Sequence, residues 1–157
     1  MSVQLRRIRL SFSATGESAV AHLLDDEAPA VCQQIWDWLP IERKAIHGQF
    51  SGAEVFVLLE QPKRLPAEQL VQLPLPGEIL YFFDPGTSVG GGTQASAEIC
   101  VVYDRGVTLR GPEGVPVHAS LFARIPGDWK HDWIAFAKAC RRVRWEGPQV
   151  LCIERAM

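Results

Sequence analysis

The sequence predicts a mainly β chain with two α-helices, its strands closed into a barrel and the helices capping the open ends. Three observations predict this. Short segments with apolar residues at every second position recur along the chain, whereas only two stretches carry them at three- and four-residue spacing. Most of the strands lie between those two helical stretches, so strand and helix do not alternate as a doubly wound parallel sheet requires. Closing about eight strands on themselves leaves no long exposed edge, and a helix over each end buries both helical stripes.

Ile8, Leu10 and Phe12 alternate with Arg7, Arg9 and Ser11, the period-two pattern of a half-buried strand. Val3 and Leu5 fall on the opposite phase, which calls for cover on both faces or a bulge. Thr15-Gly16-Glu17 turns the chain into a second strand over Ser18 to Leu24. Asp25-Asp26-Glu27-Ala28-Pro29 predicts a helix start, with acidic side chains at the positive end of the macrodipole and Pro in the first turn. Val31, Ile35, Trp38 and Leu39 form its apolar face, and Pro40 ends it. Strands are expected at Lys44 to Phe50, Glu54 to Leu59 and Glu78 to Phe83, with a Pro-rich connection through Gln61 to Pro66 before the last. The Gly86 to Thr93 loop reads as a hairpin tip or a pocket lid.

Further strands are expected at Ile99 to Tyr103 and Val117 to Ile125, with a Gly/Pro-rich excursion at Gly111 to Gly114 between them. Gly127-Asp128 is read as the start of the second helix, Asp128 as its N-cap, and Trp129, Trp133, Phe136, Ala137 and Cys140 as its stripe. Gly147-Pro148 introduces a last strand through Val150 to Ile153. With no internal repeat and no linker, residues 1–157 read as one domain.

Composition narrows the function. Apolar residues make up 47% of the 157 and charged ones 22%, an ordinary globular balance. A net charge of −2 argues against a nucleic-acid partner, which asks for a basic face. Apolar runs such as Ile79 to Phe83 are far too short to cross a bilayer, so no membrane partner is expected. The first ten residues interleave Arg with aliphatics and read as part of the fold, not as a secretory signal. Cys32, Cys100, Cys140 and Cys152 lie in apolar patterns with no Cys-x-x-Cys pair, which reads as reduced core thiols in a cytoplasmic protein. No ligand spacing suggests a metal, and no cofactor motif is present. The triple glycine Gly90 to Gly92 lacks the Lys-Ser/Thr end of a P-loop, and no His-x-His pair supports a cupin metal site.

Ala45-Ile46-His47-Gly48-Gln49-Phe50-Ser51-Gly52-Ala53-Glu54 carries the densest chemistry. His47, Ser51 and Glu54 can line one pocket, with His47 binding or acting on a ligand and Glu54 as acid, base or anchor; the plain alternative is a polar strand face at a barrel mouth. Ser51 has no nucleophile elbow, so a catalytic triad is not supported. Tyr81 and Tyr103 are expected inside the barrel, each with a hydroxyl partner, and Arg105 is either a carboxylate anchor or a surface charge. Trp36, off its helix stripe, is a candidate self-association surface.

The element order also resembles that of cyclophilins. A hairpin leads through Glu27-Ala28-Pro29-Ala30-Val31 into the first helix, Pro76-Gly77-Glu78-Ile79-Leu80-Tyr81-Phe82 follows, and a late helix precedes a closing strand. The His47 to Glu54 stretch is similar to the His…Ser-Gly-x-Glu stretch of an uncharacterised bacterial family of cyclophilin-like proteins. The resemblance implies a cyclophilin-like barrel over the whole chain. It does not carry prolyl isomerase activity across, because the arginine that polarises the prolyl amide has no counterpart in Ala45 to Gln49 and no Gln-Gly-Gly follows. The resulting expectation is a module binding a small molecule or short peptide. The alternatives are a small enzyme using His47 and Glu54 at the barrel mouth, or a homo-oligomerisation unit.

Overall fold

A computed structural model describes residues 4–86 and 94–157. The chain forms β1 (Arg7–Phe12), β2 (Ser18–Leu23), α1 (Pro29–Trp38), β3 (Ile41–His47), β4 (Glu54–Leu58), β5 (Leu70–Val71), β6 (Glu78–Asp84), β7 (Ser96–Val102), β8 (Ala119–Arg124), α2 (Ile134–Glu146) and β9 (Gln149–Ala156). Eight strands pair in the order β2-β1-β9-β3-β4-β7-β6-β8, every pairing antiparallel, and β8 returns to β2 through His22↔Arg124 and Leu23↔Ala123. The barrel is closed and both helices cap it. The two-residue β5, which the sequence pattern did not mark, adds to β8 ahead of the β2 pairing.

Alternation decides where each side chain goes. Ile8, Leu10 and Phe12 point inward from β1, Val55 and Val57 from β4, Ile79 and Tyr81 from β6, and Ala97, Ile99 and Val101 from β7. Val31, Cys32 and Ile35 of α1 and Phe136, Ala137, Ala139, Cys140 and Val143 of α2 close the same core. A second apolar cluster lies on the outside of the barrel wall. There Leu80, Cys100, Val102 and Leu121, all on the opposite phase, are covered by Val107 and Leu109 from the segment between β7 and β8. This part of the wall is therefore buried on both faces, which explains why β6 and β7 read as nearly unbroken apolar runs.

A bulge separates the two phases on β8: Ile79 pairs with Ala123 and Leu80 with Leu121, leaving Phe122 without a β6 partner. Its carbonyl accepts from the Leu24 N–H (2.8 Å) and the Cys32 thiol (3.2 Å), so the irregularity seats the start of α1.

Two helix starts differ from expectation. Pro29 opens α1 as expected, but the acidic group at its first turn is distant in sequence: the Glu68 carboxylate accepts from the N–H groups of Ala30 (3.2 Å) and Val31 (2.8 Å). Asp25 instead pairs with Arg6. Asp128 does not cap α2. It closes a separate turn, its Oδ1 accepting from Lys130 N–H (2.8 Å) and its carbonyl from Asp132 N–H (2.7 Å), while Asp132 Oδ2 accepts from Asp128 N–H (2.6 Å). That turn uses up the helix-start signals, and α2 begins only at Ile134, after Trp133 in a non-helical conformation. Trp129 is thus off the helix, packed against the core from the turn. Gly147, at φ 92°, ends α2 where an L side chain would be strained.

Leu5 precedes β1 and is exposed, and Val3 lies outside the described residues. So does most of the Gly86 to Thr93 loop, from residue 87 onward. Trp36 is half-buried between the guanidiniums of Arg6 (5.0 Å) and Arg155 (4.6 Å), which occupies the indole within the chain. Cys32, Cys100 and Cys140 are buried free thiols and Cys152 is half-buried. No helix among the described residues is long and apolar enough to cross a membrane.

The core assignment predicts unequal aromatic truncations. Phe136 is fully buried against Phe12 (5.5 Å between ring centres) and Trp133 (6.4 Å). Phe136→Ala should cost about 3–5 kcal/mol in urea denaturation. Trp145→Ala, at a site 74% exposed, should stay within about 0.5 kcal/mol.

Candidate functional site

The hairpin joining β3 to β4 divides the candidate residues between two faces of the sheet. His47 pairs with Val55, an inward residue, so His47 shares the inward phase. Glu54, one position from Val55, takes the opposite phase and points to the outer wall. The structure therefore does not bring His47 and Glu54 into one pocket at the barrel mouth. The cause is the period of a strand: neighbours that differ by an odd number of steps face opposite ways.

His47 sits beneath α2. Its Nδ1 lies 2.9 Å from the Gly48 carbonyl and its Nε2 2.7 Å from the Tyr103 hydroxyl. A carbonyl only accepts, so Nδ1 carries the proton and Nε2 accepts from Tyr103. Burial, followed by the guanidiniums of Arg144 and Arg141, holds His47 below the ordinary imidazole range, which keeps this neutral tautomer. Both ring nitrogens are engaged. Tyr103 also lies under the Arg141 guanidinium (5.5 Å), which pairs with Asp104. The open cleft beside this group, about 580 Å³, is lined by His47, Arg110, Val143 and Arg144 among others.

Tyr81 points into the core near Trp38 (6.2 Å between ring centres), and its hydroxyl donates to the Lys63 carbonyl, tying down the Pro-rich connection. Arg105 is exposed in the turn after β7, where its N–H donates to Asp104 Oδ1 (2.6 Å).

Ser51 and Glu54 do come together, in a pocket of about 280 Å³ on the outer wall. Its floor is the outer phase of three adjacent strands: Glu54, Phe56 and Leu58 of β4, Glu98 and Cys100 of β7, and Phe82 of β6. The register sets Phe56 opposite Cys100, Leu58 opposite Glu98, and Phe82 opposite Glu98. Leu109, Pro112 and Val117 of the covering segment complete the walls. Ser51 fastens that cover. Its hydroxyl donates to the Arg110 carbonyl (3.3 Å) and accepts from Arg110 N–H (3.1 Å), and its carbonyl accepts from Thr108 N–H (3.1 Å). Arg110 Nε donates to the Phe50 carbonyl (2.8 Å) at the rim. Gly48 is required beside the pocket, since a Cβ there would lie 2.6 Å from Glu54 Cγ.

Glu54 is the exceptional group. It is 5% exposed, and its Oε2 is buried with no hydrogen-bond partner. Burial pushes its pKa up to about 8, assisted by the charge of Glu98, while the Cys100 thiol and Ser51 hydroxyl pull weakly the other way. Glu98 is also raised, by burial first and then by Asp84. The Cys100 thiol donates to Glu98 Oε1 (3.1 Å), and burial, then the two carboxyls, raises it well above the ordinary thiol range, which disfavours the thiolate.

Glu98, Cys100, Phe56 and Phe82 escaped the sequence reading as site residues. The signal for Glu98, Cys100 and Phe82 was present in β6 and β7, strands apolar on both phases and hence covered on both faces. A groove of about 440 Å³ near Trp38 and Gln61 is larger. In its lining, Arg43 already binds Glu60 (3.1 Å) and the Leu58 carbonyl (2.8 Å).

The raised Glu54 pKa fixes a sign for stability against pH. Between its unfolded value of 4.5 and about 8, the group is protonated in the folded chain and ionised in the unfolded chain. Folding stability is therefore lost as pH rises across that window. Glu54→Gln carries no such titration, so its stability relative to the parent should climb from pH 5 to pH 8.5 by at least about 1.4 kcal/mol, the worth of one pKa unit. Urea denaturation across that range would refute the burial of Glu54 if the two stability curves ran parallel.

No curated protein matches the chain in sequence. Among solved structures, the chain is similar to the one described as "Structure of McbB in complex with tryptophan", with a TM-score of 0.68 and 17% identity over 94% of this chain and 44% of that one. The chain thus spans less than half the length of McbB. It is also similar to the solution structure of the hypothetical protein AF2241 from Archaeoglobus fulgidus, with a TM-score of 0.54 and 18% identity, covering 99% of this chain and 100% of that one. At these identities the likeness is one of fold. A family model described as "Protein of unknown function (DUF3830)" matches residues 10–154, nearly the whole chain, and the protein belongs to that family.

Proposed function

We propose that the protein is a small-molecule-binding module whose ligand occupies the outer-wall pocket, with Glu54 as its polar anchor. The observation that carries this reading is that Glu54, whose buried Oε2 has no hydrogen-bond partner, lines a pocket otherwise walled by Phe56, Phe82, Leu109 and Val117. Folded proteins rarely leave a buried polar atom unsatisfied, and a pocket with apolar walls and a few convergent polar groups is where a ligand is first sought. A volume of about 280 Å³ falls just below the range of about 300 to 1,000 Å³ usual for ligand sites, and suits a compact molecule better than a peptide. McbB, which shares this fold over 44% of its own chain, is described in complex with tryptophan, a precedent for small-molecule binding by a protein that contains the fold.

The closed, helix-capped barrel is compatible with a cyclophilin-like identity, and the missing arginine in Ala45 to Gln49 argues against isomerase activity within it. An enzyme pairing His47 with Glu54 is not favoured, because the two face opposite sides of the sheet and both nitrogens of His47 are engaged.

A thermal-shift screen of small metabolites, followed by amide chemical-shift mapping of the hits, tests the reading. A ligand at a hundred times its Kd should add about 2.7 kcal/mol of stability. Its shifts should centre on residues 46–58, 98–100 and 109–119, and Phe82→Ala should weaken it. Hits that map consistently elsewhere would overturn the assignment.

A further inference from the structure

We propose, resting on the pocket assigned above, that its ligand carries a protonated amine on a small apolar body, the ammonium held by Glu54 and Glu98 and the body lying against Phe56 and Phe82. Two carboxyls enter one apolar pocket from adjacent strands, with the Cys100 thiol donating to Glu98 Oε1 (3.1 Å) and lying close to Glu54. Like charges so placed cannot both ionise cheaply, and a cation between them removes the conflict. The unpartnered Glu54 Oε2 then gains a charged donor. Phe56 and Phe82 both line the pocket, and a phenyl face favours a cation over an anion through its quadrupole. The one cationic side chain among the lining residues, Arg110, stands at the rim with its Nε committed to the Phe50 carbonyl. Among the described residues no three His, Cys, Asp or Glu side chains converge as ligands for a metal ion, so the geometry favours an organic cation.

Charge surrounding the pair sets the pH dependence. Glu98 faces Asp84 of β6, Glu54 faces Cys100 of β7 and Ser51 of its own hairpin, the covering segment contributes Arg110, and His47 lies on the far side of the wall. The dominant neighbours are acidic, so proton loss from the pair accompanies arrival of the ammonium. Affinity for an amine therefore rises with pH. A neutral acceptor held by protonated Glu54 would show the opposite slope.

The probes are 2-phenylethylamine, 2-phenylethanol and 3-phenylpropionate, titrated calorimetrically with amide-shift mapping at about pH 6 and about pH 8.5, where the amine stays protonated. The amine should bind at least about tenfold more tightly than the alcohol at the higher pH, as a charge-assisted bond implies. It should tighten as pH rises, and the carboxylate should not bind. Glu54→Gln and Glu98→Gln should each remove most of that preference. An alcohol or carboxylate that binds the same amides as tightly as the amine, or an amine that weakens with rising pH, would overturn the ammonium assignment and leave the pocket standing. No amine binding at about 10 mM, a Kd too weak for one charged contact, would also overturn it. An amine that binds but shifts amides of the Trp38–Gln61 groove would overturn both readings.

Discussion

The rest of the structure depends on burial of one sector of the barrel wall on both of its faces. Over most of the ring, alternation sends apolar residues inward and polar residues to water, as Ile8, Leu10 and Phe12 do against Arg7 and Arg9. Along β4, β6, β7 and β8 the outward phase is also enclosed, by the chain between Asp104 and His118. Without that cover, Leu80, Val102 and Leu121 would form an exposed apolar patch. With it, the polar residues that share their phase, Glu54 and Glu98, are carried into a low-dielectric space. The perturbed carboxyls follow from strand parity combined with a folded-back loop.

Much of this was legible in the sequence, and the limits have physical causes. Alternation and the two helical stripes predicted the closed, helix-capped barrel, because both periods are set by local geometry. Helix starts were less legible: Asp128 has every attribute of an N-cap, but bonds to Asp132 spend it on an isolated turn. The group that does serve α1, Glu68, lies far along the chain, and no local rule connects them. The candidate site was partly legible for a related reason. Closeness along the chain grouped His47, Ser51 and Glu54, whereas facing is decided by parity and by the hairpin between them. Glu98 and Cys100 reach the pocket through inter-strand register, which exists only once β4 and β7 are paired.

Tyr103 and Ser51 show how residues in a functional neighbourhood can serve position. Tyr103 saturates His47, and the Arg141–Asp104 pair beside it joins α2 to the turn after β7. Ser51 joins the β3–β4 hairpin to the covering segment by three hydrogen bonds with Thr108 and Arg110. These bonds hold the two walls of the pocket at a set separation, so its width is decided by backbone stitching around the rim. On the proposed function, a ligand would meet a preformed shape and give up less ordering entropy on entry.

The seam between β2 and β8 is the ring's thinnest joint, only two residue pairs long. The first turn of α1 lies across it: the Phe122 carbonyl on one side receives both Leu24 N–H and the Cys32 thiol from the other. The helix is therefore a clasp as well as a stopper. Prying it away would free the joint beneath it, so release of this short α segment and rupture of the cylinder are one mechanical event.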